Sequence, residues 1–372
     1  MRKVSARWAI VVGVVLASLL LAWGPFSRCV RAAQFLERLS EKPPASEPGA
    51  PRISTEELTI AGKNGPIRAR LYFRTGASPG EGIVVAHGVH YRGIDEARLV
   101  PFVRALAESG LTVLTPELSD IADYRISASG VDVIRDSVRY LLTRRDHIVG
   151  DRVRLLGFSF AGGLSLVAVE APETARQVSA VTSVGGHHDL RRVLRFLIHN
   201  EIETPRGIVH AKAHEYGLVV LVYGNLEHFV PPADLPAMQA GFKAWLQSDQ
   251  KRARAAAKAR TTPEADRLWQ LLESGRLQAL APELDALLDS QRAELAALSS
   301  IGHLQQLNVP VYLLHGSHDS VIPPSETDAA GLELGGAEHQ ALVSPLLEHV
   351  EVSKAASVAD KLALVSFLAN VL

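Results

Sequence analysis

The sequence predicts an α/β fold, a mostly parallel central sheet with helices on both faces, interrupted by a helical insertion. Three observations carry this reading. Two alternating runs flank an Asn64-Gly65 turn, and strand-like and helix-like segments then alternate as far as Val184. From about Leu190 to Leu307 helix signals replace them. Strand character then returns at Val309–Leu314 and Gln340–Val343, ahead of a final helix over Ala355–Leu372.

The segment Leu58–Arg74 (LTIAGKNGPIRARLYFR) is a hairpin of the Asn-Gly type. Gly82–Ala86 is a short apolar run expected as a buried strand, and Ala97–Ser109 an amphipathic helix closed by Gly110. Leu111–Thr115 is the next strand, and Val131–Arg144 carries apolar residues at mostly helical spacing. Val153–Phe158 and Val178–Val184 complete the first series of strands. Inside the insertion, Thr262-Pro263-Glu264 reads as a cap, a first-turn proline and an early acid. Ala281-Pro282-Glu283 repeats that start signal, and the charged run Lys251–Arg260 reads as a solvated helical face.

The N-terminus has a different character. Arg2, Lys3 and Arg7 precede an uncharged run from Trp8 to Phe26. A cleaved signal has an apolar region of roughly 7–15 residues, whereas a spanning helix needs about 17–25. The run falls between the two. Trp8 and Trp23 suit two membrane interfaces, and cleavage after Ala32 would be crowded by Arg28 and Arg31. The expectation is an uncleaved anchor, with the folded part on the non-cytoplasmic side. The alternative is a secreted or periplasmic protein cleaved near Ala32. The segment EKPPASEPGAPR, with four prolines, reads as a solvated linker. The predicted organisation is therefore an anchor over residues 1–33, a linker over 34–52, an α/β core over 53–189 and 308–372, and a cap over 190–307.

Composition narrows the function. The 372 residues are 47% hydrophobic and 21% charged, as in globular proteins. A net charge of −1 and the lack of a basic, aromatic-interleaved block argue against a nucleic-acid partner. The single cysteine, Cys29, excludes an internal disulfide framework and a cysteine-based metal cluster.

Four places can carry chemistry. In Val153–Gly163 (VRLLGFSFAGG), an apolar run ends in Gly-x-Ser-x-small and leads into helix-compatible sequence. This is the order of a nucleophile elbow at Ser159, with Gly157 and the small Ala161 admitting close backbone; an ordinary strand-to-helix turn is the competing reading. After the strand ending at Ala86, the loop His87-Gly88-Val89-His90 could aim the Val89 N–H at the same point as the Phe160 N–H, making an oxyanion hole. There His87 orients the loop rather than reacting. In His315-Gly316-Ser317-His318-Asp319-Ser320-Val321-Ile322-Pro323-Pro324, Asp319 lies in a turn after a strand, where it could fix an imidazole tautomer or simply close an Asx turn. Finally, His349 follows the last strand in Ser344–Val350, placed to act as general base.

Together these segments resemble the α/β-hydrolase family. The resemblance rests on GFSFAGG, the His87-Gly88 loop, HGSHDSVIPP and His349, and spans about Leu58–Leu372. It implies the order nucleophile Ser159, acid Asp319, base His349, with the helical stretch as the family's cap. Ala161 departs from the glycine often found there, and is small enough to keep the turn. Some relatives place the acid after the preceding strand, which makes Asp189 the alternative. His339 competes as base but precedes the last strand. The pair His187-His188 does not share one face, so no metal site and no cofactor are predicted. The expected activity is that of a carboxylesterase- or lipase-like serine hydrolase acting on a small-molecule or lipid-like acyl substrate. The alternatives are a peptidase or thioesterase on the same triad, or a catalytically silent module that binds through its cap.

Overall fold

A computed structural model describes residues 28–39, 51–204, 207–335, 338–348, 351–352 and 357–371. Its centre is an eight-stranded sheet built from β1 (Ile53–Gly62), β2 (Gly65–Arg74), β3 (Gly82–Ala86), β4 (Thr112–Pro116), β5 (Val153–Phe158) and β6 (Val178–Val184). Two further strands separate later in the chain, here β9 (Val311–Gly316) and β10 (His339–Ser344), after a small hairpin of β7 (Glu201–Thr204) and β8 (Gly207–His210). The spatial order is β1-β2-β4-β3-β5-β6-β9-β10. β1 and β2 pair antiparallel, as do β2 and β4, and every other neighbour in the sheet is parallel. β5 and β6 form over the residues predicted for them.

The strand period of two sorts the core into two layers. Val84, Leu114, Leu155 and Leu313 pack on one face beneath helices Ala128–Thr143 and Phe160–Ala168. Ile83, Val113, Leu156 and Leu314 pack on the other, with helices Leu99–Glu108 and Val358–Val371. A helix over residues 28–39 joins this second layer, burying Ala32 and Phe35, with Phe35 edge-on to Phe102 at 5.3 Å. Residues 28–33 and 34–39, read from the sequence as the end of the anchor and the start of the linker, here form one continuous helix packed on this layer. The run Trp8–Phe26 lies outside the described residues. Among the described residues, no helix is long and apolar enough to cross a membrane.

Between β6 and β9 the chain runs through helices Leu190–His199, Glu215–Tyr223, Leu235–Leu246, Gln250–Ala257, Pro263–Glu273, Ala281–Ser290 and Arg292–Ala297. Thr262 caps its helix through the Ala265 N–H, with Pro263 in the first turn. The exposed hairpin β7–β8 departs from the all-helical expectation for this stretch. Where the insertion leaves and rejoins the sheet, its two ends are tied together. Ser300 N–H donates to His188 O at 3.0 Å, and Leu190 N–H to Ser299 Oγ at 2.9 Å. Buried Glu326 accepts from the His188 and Asp189 N–H groups at 2.9 and 2.8 Å and from Arg192 Nε at 2.5 Å. These charge-assisted bonds fix the root of the insertion against the core.

Candidate active site

The strand order reverses between β3 and β5, which are direct neighbours with Ala86 opposite Gly157. Crevices beyond the carboxyl ends of strands at such a reversal are where open α/β sheets bind ligands. Two of the predicted segments leave the sheet there. β3 runs into His87-Gly88-Val89, and β5 runs into Ser159.

Ser159 has φ +54° and ψ −134°, a left-handed conformation that costs a non-glycine residue on the order of 1–3 kcal/mol. Its surroundings hold it there. The Ser159 N–H donates to Val184 O at 2.8 Å, its carbonyl accepts from the Gly162 N–H at 2.8 Å, and helix Phe160–Ala168 starts immediately after it. A side chain at Gly157 would collide with the Ala161 carbonyl and the Ser165 hydroxyl, so the glycine is required by the tightness of the turn. At Gly88, a Cβ would lie 3.2 Å from Ser159 Cβ and 3.5 Å from Phe158 O. The loop after β3 therefore presses its backbone directly against the elbow.

His87 sets that loop. The Leu118 N–H donates to His87 Nε2 at 3.0 Å, so the ring proton sits on Nδ1 and is donated to Gly88 O at 2.9 Å. Burial holds this imidazole below its usual range, in keeping with a neutral ring. His87 bonds only to backbone groups in these contacts and orients the loop.

Asp319 lies in the turn after β9, buried. Its Oδ1 accepts from the Val321 and Ile322 N–H groups at 2.8 and 3.0 Å, and its own N–H reaches Gly316 O at 3.3 Å. Oδ2 lies 3.4 Å from His315 Nε2. The Asx-turn reading is thus correct as local geometry, and it leaves Oδ2 outside those turn bonds. The flanking residues His318, Ser320 and Val321 all line the cavity above Ser159. The end of β10 meets the same turn, where Ser317 N–H donates to Ser344 O at 3.0 Å. His349 itself, the predicted base, lies outside the described residues.

The alternatives fall elsewhere. Asp189 accepts from the Arg192 N–H at 3.2 Å and caps helix Leu190–His199. His339 opens β10 at the end of the sheet opposite Ser159, paired with Val311. His187 Nε2 donates to Leu298 O at 2.8 Å, whereas His188 contacts Ser300 Oγ at 3.1 Å and Glu333 at 3.0 Å. The adjacent histidines serve different partners. Among the described residues, no group of three or more His, Cys, Asp or Glu side chains could hold a metal ion.

Ser159, Val89 and Phe160 open into a cavity of about 660 Å³. Leu99, Phe102 and Phe158 form its wall on the sheet side, and Tyr216, Val220 and Leu246 of the insertion form its roof. Glu96 and Arg98 form an ion pair of 2.8 Å at its rim. No sequence signal marks the roof residues, whose place depends on how the insertion folds back. His87, Gly88 and Val89 of the loop predicted from the sequence also line the cavity.

No protein-family model and no curated protein matches the chain. Solved structures do. A ligand-bound form of the rice cell wall degrading esterase LipA from Xanthomonas oryzae superposes with a TM-score of 0.55 at 15% identity, covering 90% of this chain and 93% of that one. Another crystal structure of LipA gives 0.54 at 17% identity, covering 86% and 89%. A Pyrobaculum calidifontis esterase gives 0.45 at 15% identity, covering 93% and 90%. At the identities of the two LipA structures the likeness concerns the fold, and the chain has the α/β-hydrolase fold.

Proposed function

We propose that this chain is a serine hydrolase that cleaves carboxylic esters through an acyl-enzyme intermediate. The observation that carries the reading is the strained Ser159 at the end of β5, held beside the Gly88 backbone and open to a largely apolar cavity. In this mechanism Ser159 Oγ attacks the acyl carbon and passes its proton to His349. The N–H groups of Val89 and Phe160 hold the oxyanion, that of Phe160 from the positive end of its helix. Asp319 Oδ2 accepts the other imidazole N–H and fixes the tautomer. His349 then protonates the leaving alcohol, and water repeats the sequence to release the acid. The apolar wall and roof favour an apolar acyl group.

A fluorophosphonate probe tests this directly. Wild type should be labelled and Ser159→Ala should not; equal labelling of both overturns the assignment. A panel of p-nitrophenyl esters, thioesters and peptide amides separates esterase from thioesterase and peptidase. Full inertness across that panel would favour a silent binding module. His318 lines the same cavity, so His349→Ala must abolish turnover and His318→Ala must not. The proposal also retains Trp8–Phe26 as an anchor placing the enzyme on the non-cytoplasmic side, a reading that rests on sequence. A reporter fused after Leu372 that is active only in the cytosol would refute it.

A further inference from the structure

The insertion holds a second cavity, of about 540 Å³, and its relation to the first is set by one helix. In Glu215–Tyr223, residues Tyr216, Gly217 and Val220 line the cavity above Ser159. Residues Glu215, Leu218 and Val219 of the same helix line the second cavity. Positions three and four apart share a helix face, so the helix is a wall with a cavity on each side. Tyr216 and Leu246 line both cavities. They stand at the boundary between the two spaces.

The two cavities differ in chemistry. The first is walled mainly by apolar side chains near the serine. The second adds Glu215, Glu273, Gln250 and Gln278 to apolar Leu218 and Trp245. Among the described residues lining it there is no Lys, Arg or His. The counter-ions of its carboxylates, Lys212 at 3.5 Å from Glu215 and Arg254 at 2.8 Å from Glu273, are not lining residues. The exposed Glu215 and Glu273 carboxylates and the two glutamines offer acceptors to a group that donates hydrogen bonds, and the lining holds no cation to receive an anion.

We propose that the two cavities form one bipartite substrate site, with Tyr216 and Leu246 as its neck. This rests on the hydrolase reading of Ser159 and goes further in naming the substrate class. It is an elongated ester whose apolar segment crosses the neck and whose far end carries a neutral hydrogen-bond donor such as a hydroxyl. Tyr216 and Leu246 then determine which chain lengths reach through.

Two measurements test it. The first compares p-nitrophenyl butanoate, dodecanoate, ω-hydroxydodecanoate and the half-ester of dodecanedioic acid. The ω-hydroxy ester should exceed the ω-carboxy ester in kcat/KM by about tenfold or more. Gln278→Trp, which fills the second cavity alone, should lower the ω-hydroxydodecanoate-to-butanoate ratio by a similar factor. Ratios unchanged within about twofold, with hydrolysis still dependent on Ser159, overturn the bipartite site and leave the hydrolase reading standing. The second measurement needs no turnover. ω-Bromododecanol should quench tryptophan fluorescence in Ser159→Ala protein, and Trp245→Phe should remove that quench. Quenching without hydrolysis of any ester by wild type would keep the site and sink the hydrolase reading; no quenching sinks the site.

Discussion

His315 Nε2 stands 3.4 Å from Asp319 Oδ2, with both side chains sealed from solvent. The same nitrogen donates to Ile322 O at 2.8 Å, and Nδ1 meets Thr327 Oγ1 at 2.8 Å. One imidazole thus spans the start of the turn, its end and the helix that follows. It braces the turn that carries the carboxylate. His315→Leu should lower kcat by about 100-fold through misplacement of Asp319. It should leave KM nearly unchanged, because the substrate cavity is not touched. His315→Gln retains a donor for Ile322 O and should recover part of that loss. Equal loss in both variants, or a loss confined to KM, would refute the positioning role.

Asp189 and Asp319 both follow a strand of the sheet, and their surroundings separate them. Asp189 caps a helix, so Asp189→Ala should cost about 1 kcal/mol of stability and little turnover. Asp319→Asn keeps the shape of the turn but removes the carboxylate proposed to fix the His349 tautomer. It should cost on the order of 10⁴-fold in kcat. Paired denaturation curves and initial rates decide the matter. A catalytic collapse in Asp189→Ala would transfer the acid to that position.

Burial pushes His87 and His187 below the ordinary imidazole range. Protonating His87 Nε2 would break its bond from the Leu118 N–H. Protonating His187 Nδ1 would bury a charge at an atom with no hydrogen-bond partner among the described residues. In the unfolded chain both titrate near 6.5, so as pH falls below about that value the unfolded state takes up protons that the folded state refuses. The stabilisation is complete above about pH 6.5. Below it, the loss is about 1.4 kcal/mol per pH unit for each ring, until the lowered folded pKa is reached. Urea titrations between about pH 8 and 5.5 should show this slope, and His87→Gln should reduce it. A midpoint that is flat across that range would contradict it.

The central strands were legible because each is a short apolar run between turn residues, and burial on both faces leaves few other outcomes for such a run. The order of Ser159 and Asp319 along the chain was legible for the same reason: each follows a strand whose end the sheet fixes. Other features depend on partners distant in sequence. Glu326 anchors His188 and Asp189 across more than a hundred residues, and no local pattern announces that. The strands Glu201–Thr204 and Gly207–His210 are four residues each, and Ile208 and Val209 stay exposed, so they carry no buried face to read. The helix over 28–39 did leave a signal. Ala32, Phe35, Leu36 and Leu39 have the i, i+3, i+4, i+7 spacing of an amphipathic helix, but the uncharged run just before them drew the segment into an anchor reading.

That helix reaches the site through aromatic rings. Phe35 meets Phe102 edge-on at 5.3 Å, and Phe102 meets Phe158 edge-on at 5.0 Å. Phe158 immediately precedes Ser159, and both Phe102 and Phe158 line the cavity. Phe35 is 2% exposed, so Phe35→Ala leaves a void the size of a ring and should cost about 3–5 kcal/mol of stability. The void lies next to Phe102, which can then turn out of the cavity wall. For this reason kcat/KM for long acyl esters should fall more than for short ones, whereas a purely global loss of stability would lower both in proportion to the folded fraction. Starting the chain at residue 51 should reproduce the effect, and starting it at residue 28 should not. Equal stability and equal ester profiles for the two truncations would show that the helix plays no part in the fold or the cavity wall.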